Sequence, residues 1–471
     1  MKIEWILSLI AYGISLLTIP HLLLLKKRPV STLAWLWAII LFPYVGALFY
    51  LLMGTDRMKR KRLKQREAFR AHRPLKKGEK DAHSLVPSLS DKDQLFLETL
   101  AQINQLPNSA SNSVKVLVDS CHFYPALEEA IKKAKRSIHI QFYLWRDDEA
   151  GKKFLDLVID AVKRGVKVRV LLDEMGCWDI SKKFFNPLVK AGGQFSWFQS
   201  FNIWRNRFFL NFRNHRKLQI IDEEVAFVGG MNIGEEYEGG DETLGYWRDV
   251  QIQLSGPVVH LLEDSFANDW YFATDERLTE TKKAKGGEEC FPIQVLAGGP
   301  DLNYDPLQRS LVAMLNHAKE RFWITCGYFV PSETLLTALA ICASRGVEVR
   351  LLIAEKVDHP YLVQVSRSFY EDLLHAGVRL FEYSCGMNHS KVAVIDQDWL
   401  MVGSANLDNR SMRLNFELNV LVRSEEQNQY LSNVLEKDFE KSKEIKLSTF
   451  QRRPFQQKLV EAAFRPLAPL L

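Results

Sequence analysis

The chain has 471 residues, 47% of them hydrophobic and 25% charged, which allows more than one globular core and excludes disorder as a whole. Its formal charge of +5 is mildly basic, which suits an acidic surface or substrate but equally suits many soluble enzymes, so where the charge lies matters more than its sum. Cys121, Cys177, Cys290, Cys326, Cys342 and Cys385 form no C-x-x-C pair and the histidines show no H-E-x-x-H spacing; the thiols read as reduced and structural, facing a cytosol, and neither a metal nor a cofactor is expected.

From Trp5 to Leu25 the sequence is WILSLIAYGISLLTIPHLLLL, free of acids, lysines and arginines and long enough at helical rise to cross a hydrocarbon core of about 30 Å. After Lys26, Lys27, Arg28 and Pro29 a second uncharged stretch, Leu33 to Met53, carries Trp35, Trp37, Tyr44 and Tyr50, types enriched at membrane interfaces. Residues 1–56 are therefore expected to form two transmembrane helices in a hairpin, the alternative being a second segment that re-enters, bent at Pro43 and Gly46. A cleaved signal peptide fits poorly, because the first run is too long and a second follows it. Residues 57–112 open with the basic run RMKRKRLKQR and continue as a polar segment rich in Lys, Ser, Pro and Asp, read as a juxtamembrane stretch and linker. The excess of Lys and Arg after the second run places the chain in the cell membrane as a multi-pass protein, with its termini and globular part on the cytoplasmic side. Against anionic membrane lipid the basic run would gain about 1 kcal/mol per positioned cation.

Beyond the linker the chain says similar things twice. Ser137 to Trp145, Lys152 to Lys163 and Val166 to Asp173 read as strand, helix and strand, and Arg321 to Val330, Leu335 to Ser344 and Val347 to Glu355 follow the same order. Both helices run into R-G-V, at Arg164-Gly165-Val166 and Arg345-Gly346-Val347, and each half then has an A-G turn, at Ala191-Gly192 and Ala376-Gly377. The fold class is α/β, with two tandem domains of mixed β-sheet flanked by helices at 113–274 and 291–471, joined by a connection at 275–290.

Each half ends in a motif. NHRKLQIIDEEVAFVGGMN holds His215, Lys217, Asp222, Gly229, Gly230 and Asn232; NHSKVAVIDQDWLMVGSAN holds His389, Lys391, Asp396, Gly403, Ser404 and Asn406. In H-x-K the two side chains lie two apart, so on a strand they share a face, and an imidazole with an ammonium addresses one anionic group. Glycines let backbone approach a ligand and the asparagines offer amide donors, which together describe a phosphate pocket. A lone histidine such as His122, His139, His260, His317 or His375 is ordinarily a hydrogen-bonded structural residue. Duplication in matching order reverses that expectation for His215 and His389.

These residues form the double H-K-D signature of the phospholipase D superfamily, and the runs DHPYLVQVSRSFYEDLLHAGVRLFEY, GSANLDNRSMRLNFELN, GGMNIGEEY, YWRDV and the terminal PLAPLL resemble bacterial-type cardiolipin synthases over nearly the whole chain. The resemblance implies two phospholipase D-like domains and a transfer without metal. One histidine attacks the phosphodiester of phosphatidylglycerol to give a phosphatidyl-histidine; the other protonates the departing glycerol, then deprotonates a second phosphatidylglycerol. It favours His215 as the nucleophile. It also implies that each histidine is oriented by a carboxylate downstream of its own motif, Asp249 and Glu417 by position. Lys217, Lys391, Asn232, Asn406 and Ser404 would hold the phosphate oxygens, with Gly230 replacing a hydroxyl at the position matching Ser404. Asp222 and Asp396 complete the motifs and read as mainly structural.

A phospholipase D hydrolase or a phosphatidylserine synthase would use the same machinery with water or serine, so the acceptor alcohol is open between them. A nuclease acting on nucleic acid fits the apolar N-terminus poorly, and a non-catalytic scaffold fits two complete motifs poorly. One departure from the resemblance is FNIWRNRFFLNFRN before His215, where Phe201, Trp204, Phe208, Phe209 and Phe212 alternate with Arg205, Arg207 and Arg213. That mixture suits either an element dipping into a lipid interface or an ordinary core strand with exposed arginines.

Overall fold

The computed structural model describes residues 12–13, 17–25, 29–54, 67, 89–181, 183–198, 212–278, 291–302 and 304–470. The apolar N-terminal region and the phosphate-motif region form separate compact units, each described by itself.

In the N-terminal unit the second apolar run is not one helix. Pro29–Leu41 is helical, Phe42 leaves helical geometry at φ −130°, a new helix Pro43–Phe49 starts with the proline in its first turn, and a π-turn covers Tyr50–Gly54. Proline lacks the N–H that would bond back one turn, so the break falls where the sequence places it. A Cβ on Gly46 would lie 2.0 Å from the Ala38 carbonyl oxygen, so only glycine permits this tight bend. Leu22, Ile39 and Tyr50 are buried together, with the Tyr50 hydroxyl 2.7 Å from His21 Nδ1. Among the described residues no helix is long and apolar enough to cross a membrane; much of the first apolar run lies outside them.

The larger unit contains the duplicated β-α-β. In the first half, strands Ser137–Phe142 and Lys167–Leu172 pair in parallel around helix Glu149–Lys163, whose N-cap Asp148 accepts from the Gly151 N–H. In the second, Arg321–Cys326 and Glu348–Ala354 do the same around Glu333–Ser344, capped by Ser332. The repeated R-G-V has a physical cause: Gly165 and Gly346 end their helices at φ 90° and 87°, a conformation that costs glycine little.

Seven strands recur in one spatial order. Toward the seam the first half reads Gln194–Trp197, Lys167–Leu172, Ser137–Phe142, Leu218–Ile221, Val225–Gly229, Val250–Ser255 and Ser109–Val118; the second, inside an added edge strand Ser442–Ile445, reads Arg379–Tyr383, Glu348–Ala354, Arg321–Cys326, Val392–Ile395, Trp399–Gly403, Asn415–Arg423 and Phe291–Gly298. The innermost strands of the halves pair antiparallel, with Ser109 opposite Ile293, so the two sheets are one. Helices Val258–Thr274 and Glu425–Glu440 share a core cluster with both halves, in which Ile252 and Phe266 join Val420 and Leu435. Within the expected linker, Asp91–Asn104 is a helix capped by Ser90, and its Phe96, Leu97 and Leu100 enter the second half's core.

Candidate active site

The two H-x-K segments meet where the halves join, through a pair of short parallel ribbons. Arg213–Asn214 runs beside Asn415–Phe416, and Met387–Asn388 beside Trp247–Arg248. The His215 N–H donates to the Phe416 carbonyl at 2.9 Å and the His389 N–H to the Arg248 carbonyl at 2.8 Å. Each histidine is thereby laid against the strand that carries the other half's carboxylate.

The histidine–carboxylate hydrogen bonds are crossed accordingly. His215 Nδ1 lies 2.9 Å from Glu417 Oε2, and His389 Nδ1 lies 2.6 Å from Asp249 Oδ2. This corrects the pairing inferred from the resemblance: both carboxylates are present, but each orients the histidine of the opposite motif. With Nδ1 facing a carboxylate, the ring N–H donates there and leaves Nε2 with its lone pair free.

Lys217 and Lys391 are buried, and their ammonium groups donate to the His215 and His389 carbonyls respectively, the first at 2.9 Å. Burial lowers both lysines, Lys391 to about 8. Burial also lowers both histidines, against the pull of Glu417 in the case of His215, which falls to about 4; the positive charge of Lys391 bears on both rings. Asp249 is pushed up to about 7 by burial, opposed by Lys391. Burial also opposes charge on Glu417, yet His215, Lys217 and the Ser404 hydroxyl together hold it below the usual range. Burial thus disfavours the charged form of both imidazoles, which stand among two lysines and two carboxyl groups. An arriving phosphodiester anion favours one imidazolium, the proton inventory an acid–base transfer needs.

The remaining expected residues divide. Ser404 donates to Glu417 Oε2 at 2.6 Å and accepts from the Leu418 N–H at 3.0 Å, so its hydroxyl is committed to the carboxylate rather than free for a phosphate oxygen. At Gly230 a Cβ would lie 2.3 Å from Asp249 Oδ1, so that position clears space for the carboxylate, and the half-sites are unequal because Glu417 gains a hydroxyl donor that Asp249 lacks. Asn232 spans the Leu144 N–H and the Tyr237 hydroxyl. The buried side-chain oxygen of Asn406 has no hydrogen-bond partner and faces Gly327, which also adjoins His389. Asp222 and Asp396 are not in the pocket. At the far ends of Leu218–Ile221 and Val392–Ile395 they accept from the backbone of Lys135, Arg136 and Ser137, and of Lys319, Glu320 and Arg321, clamping the turn into the adjacent strand.

Three further residues touch the site. The Tyr237 hydroxyl is 3.3 Å from His389 Nδ1, and the Tyr143 ring stands edge-on to His215 with the Lys217 ammonium 5.4 Å from its centre. Arg216, the middle residue of the first H-x-K, pairs with buried Asp269 at 2.7 Å and donates to the carbonyls of Glu417 and Gly298 at 3.2 Å, tying the halves together behind the site. Ser390 in the second motif was the available signal that this middle position differs between halves. Residues 199–211, which hold most of the aromatic and basic run before His215, lie outside the described residues. Among the described residues no cluster of three His, Cys, Asp or Glu could hold a metal ion.

Two H-x-K segments brought to one seam by a duplicated α/β fold define a phospholipase D-like enzyme. The family described as "cardiolipin synthase, PLD-like domain" matches residues 127–270 and 311–439, and the one described as "phospholipase D-nuclease N-terminal" matches residues 13–54. The chain is 35% identical over 457 residues to the cardiolipin synthase of Geobacillus thermodenitrificans, covering 95% of this chain and 90% of that one, and 34% identical over 458 residues to that of Alkalihalophilus pseudofirmus, with the same coverage. Among solved structures, the phosphatidylserine synthase of Haemophilus influenzae shares the fold, with a TM-score of 0.59 and 18% identity over 80% of this chain and 100% of that one. The chain belongs to the cardiolipin synthase family and is a phosphatidyltransferase.

The unequal carboxylates give a measurable difference. As pH falls through about 7, Asp249 takes up a proton while Glu417 stays ionised, since the first is raised and the second lowered. Infrared titration should show a protonated carboxylic-acid band growing through that range, diminished in Asp249→Asn and unchanged in Glu417→Gln; the opposite dependence would show that the two environments had been exchanged.

Proposed function

We propose that this chain makes cardiolipin and glycerol from two molecules of phosphatidylglycerol through a phosphatidyl-histidine, with His215 as nucleophile. The observation that carries the reading is the pair of imidazoles, each bonded through Nδ1 to a carboxylate of the other half, with two buried lysines donating to the histidine carbonyls beside them. His215 Nε2 attacks phosphorus and the bond to the glycerol oxygen breaks, with the proton coming from the Asp249–His389 pair. That same pair then takes the proton from the hydroxyl of the second phosphatidylglycerol, whose oxygen attacks phosphorus as the P–N bond breaks. The roles follow the carboxylates. Glu417 is held charged, which keeps His215 electron-rich, whereas Asp249 at about 7 lets its pair hold or release one proton near neutral pH. Lys217 and Lys391, with the amides of Asn232 and Asn406, stabilise charge on the phosphate oxygens.

Labelled phosphatidylglycerol supplied alone should yield cardiolipin and free glycerol; phosphatidic acid as the main product would make the chain a hydrolase. With a phosphatidyl ester of a good leaving group, acid-labile label should accumulate on His389→Asn and be absent from His215→Asn. The reverse pattern would exchange their roles.

The apolar N-terminal region is proposed to anchor the enzyme in the cell membrane as a hairpin, with the catalytic halves in the cytoplasm beside anionic lipid and no nucleic-acid partner. The bend at Pro43 supports a second segment that dips in and returns, since the 13 residues of Pro29–Leu41 span only about 20 Å. A reporter fused after Arg66 should be active on the inner side in either case; activity only outside would overturn the topology.

A further inference from the structure

The helix Phe455–Phe464 is amphipathic the wrong way round for a soluble surface. Its one acid, Glu461, is buried and bonded to Arg453 at 2.7 Å and to Gln457 at 3.1 Å. On the outward face, Phe455 is 75% exposed and Leu459 57%, followed by exposed Ala462 and Ala463 one turn on and by Leu467, 41% exposed, in the 3-10 turn Arg465–Leu470. These positions recur at helical spacing and form one apolar stripe.

The element is firmly seated. Phe464 packs on the second half's core, the Arg465 guanidinium donates to the Ser368 carbonyl at 2.9 Å, and Asn409 Nδ2 donates to the carbonyl of buried Ala468 at 2.9 Å. Asn409 follows Asn406 by three residues, and the helix lies against Pro360–Arg367, which follows the strand Glu348–Ala354. The Leu467 end of the stripe therefore stands on the side of the domain where the phosphate motifs open, while Gln451 and Arg453 ahead of Phe455 bond to Glu371 and His375. Exposed Arg452 and half-exposed Lys458 flank it and have no acidic partner among the described residues.

We infer that Phe455–Leu470 is an interfacial docking element, which lays Phe455, Leu459 and Leu467 into an anionic phospholipid bilayer with Arg452 and Lys458 against the headgroups. An apolar stripe edged by cations, with no exposed acid of its own and the neighbouring Asp372 already paired with Arg465, is the pattern that binds an anionic interface. A second copy of the chain is the rival occupant, but the cations flanking the stripe would then face each other. The inference rests on the lipid-transfer reading only for its purpose, since docking is measurable without turnover.

The full chain, with Cys121, Cys290 and Cys385 changed to Ser and Leu459→Cys carrying a fluorophore, would be placed in nanodiscs containing spin-labelled lipid. In discs with phosphatidylglycerol, quenching should exceed by several-fold that of the same fluorophore at exposed Gln429, and should weaken in discs of phosphatidylcholine alone. Phe455→Ser with Leu459→Ser should lower turnover of bilayer phosphatidylglycerol several-fold while leaving turnover of a short-chain monomeric analogue unchanged. Quenching no greater than at Gln429, or protection that appears only with rising protein concentration, would overturn the inference. Failure to make cardiolipin with quenching intact would instead count against the proposed reaction alone.

Discussion

The fold is organised around the burial of two ammonium groups and two carboxyl groups at one seam. Removing any one of them would leave a buried charge without its partner, which is far more costly than never burying the pair. Because Glu417 faces His215 and Asp249 faces His389, neither half can satisfy its own histidine. Continuity of the sheet across Ser109–Val118 and Phe291–Gly298, and the reach of Arg216 from Asp269 to the Glu417 carbonyl, then read as the means of holding that seam in register.

Much of this was legible before any coordinates. The repeated R-G-V marks helix ends that need positive φ, a local property that spacing reveals; the H-x-K residues lie not within one strand but between Arg213–Asn214 and Leu218–Ile221 in the first half and between Met387–Asn388 and Val392–Ile395 in the second. The crossed pairing is not local. It arises because the Arg213–Asn214 and Met387–Asn388 ribbons run beside the opposite half's strands, and no periodicity within one half encodes a neighbour in the other. Ser404 escapes for a different reason: its hydroxyl is engaged by Glu417 on the neighbouring strand of the same half, thirteen residues away. The helix Asp91–Asn104 was hidden by its polar outer face, since only Phe96, Leu97 and Leu100 mark its buried side.

Lipid chemistry sets a second constraint. A phosphodiester at a bilayer surface must reach a pocket whose charges are buried, so the protein has to meet the membrane with surfaces that tolerate it. The bent helices around Pro43 and the outward apolar stripe at Phe455 and Leu459 are each poor choices for a wholly aqueous protein. Both become sensible if the enzyme works at an interface.

The crossed seam is most directly tested by nitrogen NMR of histidine-labelled protein. Glu417→Gln should alter the ring-nitrogen signals and titration of His215 while those of His389 stay in place, and Asp249→Asn should do the reverse. If Glu417→Gln instead moved His389 and spared His215, each half would own its histidine, and the account of a single shared site would be wrong.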